Sequence, residues 1–199
     1  LTIQNQNLNN ELIQKNIIDN IIENLNFPIF IKPSNSGSSI GISKVSKKSE
    51  VIQALKKASQ IDPRIVVEEG LQVRELECAI MGYSELLTSE IGEVTYETDW
   101  YDYNSKYSIN NKIQIPADIN SDMTQKIKKI AIESCRALNI YGFARIDFFL
   151  EKSSNKIFLN EINTIPGFTN KSMFPMLWEA SGLNIDQLVA KLVDITLDL

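Results

Sequence analysis

Two strand-like runs, GFARIDFFLE (142–151) and KIFLNEIN (156–163), carry Arg145, Asp147, Glu161 and Asn163 at alternate positions. Successive side chains of a strand point to opposite faces, so Arg145, Asp147 and Phe149 share one face of the first strand. Ile157, Leu159, Glu161 and Asn163 share one face of the second. KSSN joins the runs. A connection of three or five residues sets Asp147 opposite Glu161 and Arg145 opposite Asn163; two or four residues shift the register by one and spoil the pairing. Carboxylates facing each other across neighbouring strands, with Cβ atoms ~5 Å apart, repel. A divalent cation turns that repulsion into coordination. Magnesium takes hard oxygen donors, usually one or two carboxylates completed by phosphate oxygens and water. Asp147, Glu161 and the amide oxygen of Asn163 would supply such a set. The competing reading is a solvated strand face on which acidic residues cluster. Against it, Phe148, Phe149, Ile157, Leu159 and Ile162 make both strands too apolar for a fully solvated sheet.

A second candidate is FPIFIKPSNSGSSIGISKV, residues 27–45. Lys32 ends an apolar strand and a glycine-serine loop follows. Gly37 and Gly41 would let the backbone approach a ligand, and the N–H groups of Ser38 and Ser39 would bind phosphate oxygens. Lys32 adds a positive charge for the same anion. The segment is no P-loop, because no Gly-Lys-Ser follows and no helix opens after it. A plain hairpin turn is the alternative. In EEGLQVRELE, Glu68, Glu69 and Glu75 read as surface charge on composition alone. At a nucleotide site, the extended backbone near Glu69 and Leu71 would meet an adenine edge, and Glu75 would accept hydrogen bonds from ribose hydroxyls.

Composition bounds the chemistry. The 199 residues contain no histidine. That excludes Ser-His-Asp and Cys-His arrangements and any His-ligated zinc carried by this chain alone. Carboxylates, lysines, arginines, hydroxyls and backbone amides remain, a set suited to magnesium and phosphate. A net charge of −5 argues against nucleic acid as a partner. The apolar cluster Ile17 to Ile22 is interrupted by Asp19 and Asn20, so no membrane span is expected. Cys78 and Cys135 sit in apolar-patterned segments and read as buried thiols in a reducing cytoplasm.

These candidates must be positioned by an α+β arrangement of antiparallel sheets with helices on their faces. Helical spacing of apolar residues predicts helices over 9–25, 49–60 and 121–139, with two more around 172–181 and 184–197. RIVVEE, ELECAIMG and LLTSEIGEV read as strands. Residues 95–112, TYETDWYDYNSKYSINNK, follow neither period and are long for a loop, a length usually functional or disordered. A surface patch is the plain reading of this aromatic-rich stretch.

Taken together, IKPSNSGSSIGISKV, VVEEGLQVRELECAI, WYDYNSKY, GFARIDFFL and NEINTIPGFTNKSMFP resemble the D-alanine–D-alanine ligases of the ATP-grasp superfamily, in matching order from about residue 27 to the end. The resemblance implies an ATP-grasp fold, with a partial central subdomain over 1–93 and a C-terminal subdomain over 94–199 whose lid loop is 95–112. It implies that Lys32 holds ATP phosphates beneath Ser38 and Ser39, and that Glu68, Glu69, Leu71 and Glu75 bind adenine and ribose. Trp100 and Phe149 would border the adenine slot; ordinary core packing is the alternative for Phe149. Asp147, Glu161 and Asn163 would be the magnesium ligands, with manganese as a substitute. Arg145 and the Gly167 N–H would stabilise an oxyanion, Ser172 would bind the carboxylate of the second amino acid, Lys106 would reach the transferring phosphate, and Tyr107 with the Ser38 hydroxyl would anchor the first substrate.

The implied reaction is ATP-dependent joining of two D-alanines through an acyl phosphate, for peptidoglycan precursors in the cytoplasm. Its alternatives are a D-alanine–D-serine ligase, another ATP-grasp carboxylate–amine ligase, or a nucleotide-binding module without catalysis. The partners implied are ATP and D-alanine, with a homodimer of the full-length protein left open. Family members also carry an N-terminal substrate domain and a second ATP-binding lysine ahead of the point where this sequence starts. The expectation is therefore a fragment, with catalysis belonging to the longer protein.

Overall fold

A computed structural model of the chain describes residues 1–4, 8–37, 39–95 and 112–197. It divides into two compact units, one within Leu1–Leu71 and one from Gln72 onward.

The first unit runs β1 (Thr2–Gln4), α1 (Glu11–Asn24), β2 (Ile29–Pro33), β3 (Ser43–Val45), a short 3-10 turn, α2 (Val51–Ser59) and β4 (Arg64–Glu69). The strands form an antiparallel sheet in the order β1-β4-β2-β3. Helix α1 starts where the Asn10 side chain accepts from the N–H groups of Leu12 and Ile13, satisfying donors that the first turn leaves open. Ile29 and Ile31 of β2 and Ile65 and Val67 of β4 pack with Ile21 of α1 and Val51, Leu55 and Ala58 of α2, all buried. Each of the valine, leucine and isoleucine side chains contributes about 1.5–3 kcal/mol by leaving water. The alternate residues Phe30, Lys32 and Glu68 therefore lie on the other face of the sheet.

The second unit contains β5 (Val73–Gly82), β6 (Leu86–Thr95), β7 (Lys112–Gln114), α3 (Ser121–Ala137), β8 (Gly142–Glu151), β9 (Ile157–Asn163), α4 (Met173–Ala180) and α5 (Ile185–Leu197). Its antiparallel sheet has the order β7-β6-β5-β8-β9. On one face Leu76, Cys78, Ile80, Ala144, Ile146, Phe148 and Leu150 pack against Ile127, Ala131 and Cys135 of α3. On the other, Ala79, Met81 and Val94 pack against Phe174, Leu177 and Trp178 of α4 and Leu188 of α5. That second face continues along the strands through Glu75, Glu77, Arg145, Asp147 and Phe149.

The expected elements are present, with corrections. The units divide after Leu71 and not at 93/94, because β5 pairs with β8 over its whole length and β6 pairs with β5. Strands β1 and β7 are each three residues long, too short to show alternation. Thr95 pairs with Lys112, so both ends of the expected 95–112 loop are strand; residues 96–111 lie outside the described residues. Both cysteines are buried, and burial pushes the Cys78 thiol up to about 12.

Candidate active site

The hairpin of β8 and β9 closes with the Glu151 N–H donating to Lys156 O at 2.9 Å. The connection is thus KSSN, four residues, the length expected to spoil the register. Near the turn it does so: Leu150 faces Ile157, Phe149 faces Phe158 and Phe148 faces Leu159. The ladder then slips by one residue between Phe148 and Asp147, leaving Asn160 as the extra residue of a β-bulge. Beyond it Asp147 faces Glu161 and Arg145 faces Asn163. The expected pairing holds because the bulge restores what the turn length removes. One expectation fails for the same reason. Ile157 and Leu159 do not share a face with Glu161 and Asn163; they oppose the buried Leu150 and Phe148, while Phe158 joins Phe149 on the polar face.

On that face four side chains interlock. The Arg145 guanidinium donates to Asp147 from Nε to Oδ1 and from a terminal nitrogen to Oδ2, both at 2.7 Å. Arg145 Nε is also 2.8 Å from Glu77 Oε2. The Asn163 amide donates to Asp147 Oδ2 at 3.0 Å and to Glu161 Oε1 at 3.4 Å. Burial works against the Arg145 charge, but the hydrogen bond to Asp147 and the charges of Glu77, Asp147 and Glu161 outweigh it, and its pKa is raised. The Asn163 amide touches both carboxylates, so all three side chains are within reach of one cation. Its NH₂ edge faces them, and coordination through Oδ1 requires the amide to turn over. Among the described residues no three acidic or cysteine side chains are grouped to hold a metal by themselves. Two carboxylates and an amide completed by phosphate oxygens and water fit magnesium.

Next to this cluster, Phe149 lies half-buried on the polar face with Glu75 opposite it on β5, so core packing is not its place. Gly167 and Ser172 come together in the loop after β9. A Cβ on Gly167 would stand 2.9 Å from Ser172 Oγ. Ser172 Oγ accepts from the Thr169 N–H at 3.0 Å and lies 2.9 Å from Thr169 Oγ1, so Thr169 orients the hydroxyl expected to meet a carboxylate.

In the first unit Lys32 pairs with Glu68 at 2.7 Å. Glu69 alternates to the other side of its strand, where its carboxylate accepts from the Asn26 amide. The strand ends at Glu69, so any contact of Glu69 with a ligand on the Lys32 and Glu68 face would run through its backbone. Ser39 has a φ of 59° and Gly41 of 79°. A Cβ on Gly41 would come within 2.3 Å of Ile61 Cδ1, whereas one on Gly37 meets nothing within 4 Å. Packing against Ile61 and a left-handed turn require glycine at position 41. Ser38, Trp100, Lys106 and Tyr107 lie outside the described residues.

Sequence reasoning passed over Glu77, Phe158 and Thr169. Glu77 carried a usable signal, alternation with Glu75 on a strand that is apolar from Cys78 to Met81; Phe158 carried none without the bulge.

The family model described as "D-ala D-ala ligase C-terminus" matches residues 2–194. The chain belongs to the D-alanine–D-alanine ligase family. Relatives named D-alanine--D-alanine ligase from Prochlorococcus marinus strains MIT 9215 and MIT 9312 are 71% and 72% identical over 199 residues, covering all of this chain and 56% of each relative. The chain thus spans about half the length of the curated relatives it matches. Among solved structures, the VanG D-Ala:D-Ser ligase from Enterococcus faecalis is 34% identical with a TM-score of 0.84, covering 98% of this chain and 55% of that one. The D-alanine-D-alanine ligase from Coxiella burnetii is 31% identical with a TM-score of 0.80, covering 99% and 51%. The fold is therefore ATP-grasp. Ligases of this family are ATP-dependent and generally use magnesium.

Proposed function

We propose that the protein joins two D-alanines into D-alanyl-D-alanine at the expense of ATP, supplying peptidoglycan precursors in the cytoplasm. The observation that carries this reading is the convergence of Arg145, Asp147, Glu161 and Asn163 on one sheet face, in a chain 71% identical to a relative named for that reaction.

In this reading ATP is a substrate. Its γ-phosphoryl group passes to the carboxylate of the first D-alanine, giving an acyl phosphate and ADP. The amine of the second D-alanine attacks the acyl carbon; the C–N bond forms, the C–O bond to phosphate breaks, and inorganic phosphate leaves with the pair of electrons. No protein nucleophile is needed, in keeping with a chain without histidine; positioning and charge neutralisation do the work. Magnesium, held by Asp147, Glu161 and Asn163, supplies neutralisation of phosphate charge. Lys32 holds phosphate oxygens with the Ser38 and Ser39 backbone, exchanging its Glu68 partner for the ligand. Glu68, the Glu69–Leu71 backbone and Glu75 take adenine and ribose, with Phe149 and Trp100 beside the base. Arg145 and the Gly167 N–H face the oxyanion of the tetrahedral adduct. Ser172, steadied by Thr169, receives the carboxylate of the second D-alanine. Lys106 reaches the transferring phosphate, and Tyr107 with Ser38 anchors the first substrate.

The full-length protein should release phosphate from ATP only when D-alanine is present. Equal release with L-alanine, or with no amino acid, rejects the assignment. Joining D-alanine to D-serine is the second reading, favoured by the likeness to a D-Ala:D-Ser ligase; analysis of products formed with both acceptors present separates the two.

A further inference from the structure

In the mechanism above Glu77 has no task, yet it lies at the centre of the polar face. Pairing of β5 with β8 sets Glu77 opposite Asp147 and Ala79 opposite Arg145. The Glu77 side chain is 11% exposed and that of Arg145 16%. Burying a carboxylate this deeply is unfavourable unless a cation fixes it, and the Arg145 Nε at 2.8 Å does so. Glu77 lies on β5, the central strand of the sheet, between β6 and β8, so its reach is set by a strand paired on both sides.

Arg145 is thus held from two directions. Asp147 takes it in a bidentate fork through Nε–H and one terminal nitrogen, and the Glu77 carboxylate pairs with the same Nε by charge, since the single Nε hydrogen goes to Asp147. The two anchors differ in what they keep when a dication binds. Asp147 has both oxygens occupied by Arg145, so serving as a ligand weakens its grip on the guanidinium. Glu77 sits on β5, on the far side of Asp147 from β9, and faces no such conflict.

We propose that Glu77 is a positioning residue. It keeps the Arg145 guanidinium at its place on the sheet when Asp147 turns to magnesium, leaving the terminal nitrogens of Arg145 for the oxyanion. A rigid planar fork held at one edge presents its other donors in a fixed direction, which a lone arginine on a strand would not do. The inference rests on the ligase reading above.

The test uses the full-length protein and Glu77→Gln, which keeps shape and removes charge. The proposal predicts a kcat lowered roughly 10- to 100-fold, the range for residues that orient a functional group from behind. The KM for ATP, the Mn²⁺ affinity measured by electron paramagnetic resonance with ATP present, and the melting temperature stay near wild type. In an Arg145→Gln background, Glu77→Gln should add no further loss of kcat, because the two act as one unit. A wild-type kcat overturns the proposal. So does a kcat loss matched by a loss of Mn²⁺ affinity, which makes Glu77 a metal ligand, or by a fall in melting temperature with weaker ATP binding, which makes it structural. Independent, multiplying effects of the two substitutions also overturn it. If Glu77→Gln does not fold, Glu77→Asp decides: a lowered kcat at unchanged KM for ATP supports the proposal, and wild-type kcat refutes it. Failure of the wild-type protein to show D-alanine-dependent phosphate release sinks the ligase reading instead, and is distinguishable from all of these.

Discussion

Lys32 and Glu68 form an ion pair whose side chains are 26% and 45% exposed. A pair so placed contributes about 0–1 kcal/mol to stability, so a lysine there is better explained by a ligand than by the fold. Replacing Lys32 with methionine should raise the KM for ATP about tenfold or more while unfolding free energy shifts by less than about 1 kcal/mol. Equal ATP kinetics would remove Lys32 from the phosphate site. Cys78 makes a prediction of opposite kind. Burial raises its thiol to about 12 from an ordinary 9.0, so the folded protein disfavours the thiolate. The stability this reflects is present below pH ~9 and is lost as pH rises from there toward 12, since the unfolded chain ionises first. Alkylation of Cys78 at pH 8 should therefore be far slower in the native than in the denatured protein, read by mass spectrometry; equal rates would contradict its burial. Both cysteines were legible as buried thiols from their apolar surroundings, and Lys32 as the cation at the end of an apolar strand. The partner of Lys32 was not, because Glu68 is 36 positions away and only strand pairing brings it near.

The hairpin of β8 and β9 shows where sequence pattern stops. Alternation placed Arg145 with Asp147 and Glu161 with Asn163, and those groupings stand. The facing of the two pairs depended on a turn length and a bulge, and nothing about Asn160 as a residue type marks it as the one outside the ladder. The same limit explains the misassignment of Ile157 and Leu159, since a bulge exchanges the faces of everything beyond it. Two deletions test this. Removing Asn160 takes out the extra residue and should keep Asp147 opposite Glu161, with Mn²⁺ affinity within about threefold of wild type. Removing Ile162 moves Asn163 to the face of α3, and Mn²⁺ affinity should fall by about tenfold or more. Equal loss from both deletions would mean that the bulge is not at Asn160. The longer elements were readable because 10-residue strands and a 17-residue helix repeat their period several times; β1 and β7 do not.

Across the molecule, each unit has a core of its own. Leu55 and Ile31 belong to the cluster of the first, and Phe174 and Leu177 to a cluster of the second. The division at 93/94 that the family resemblance implies falls inside β6. The division after Leu71 follows from the pairing of β5 with β8, a contact between segments some 70 residues apart that no local pattern announces. Phe174→Ala should cost about 3–5 kcal/mol by leaving a cavity, and should speed amide exchange in β5 and β6 while β2 and β4 keep their protection. Equal loss of protection in all four strands would contradict separate cores. The account as a whole stands on Asp147, Glu161 and Asn163 gathering one hard dication, and Mn²⁺ titration of the full-length protein with ATP present, followed by electron paramagnetic resonance, measures that most directly. Glu161→Gln is predicted to weaken Mn²⁺ binding by about tenfold or more without lowering the melting temperature; Mn²⁺ affinity equal to wild type would contradict it.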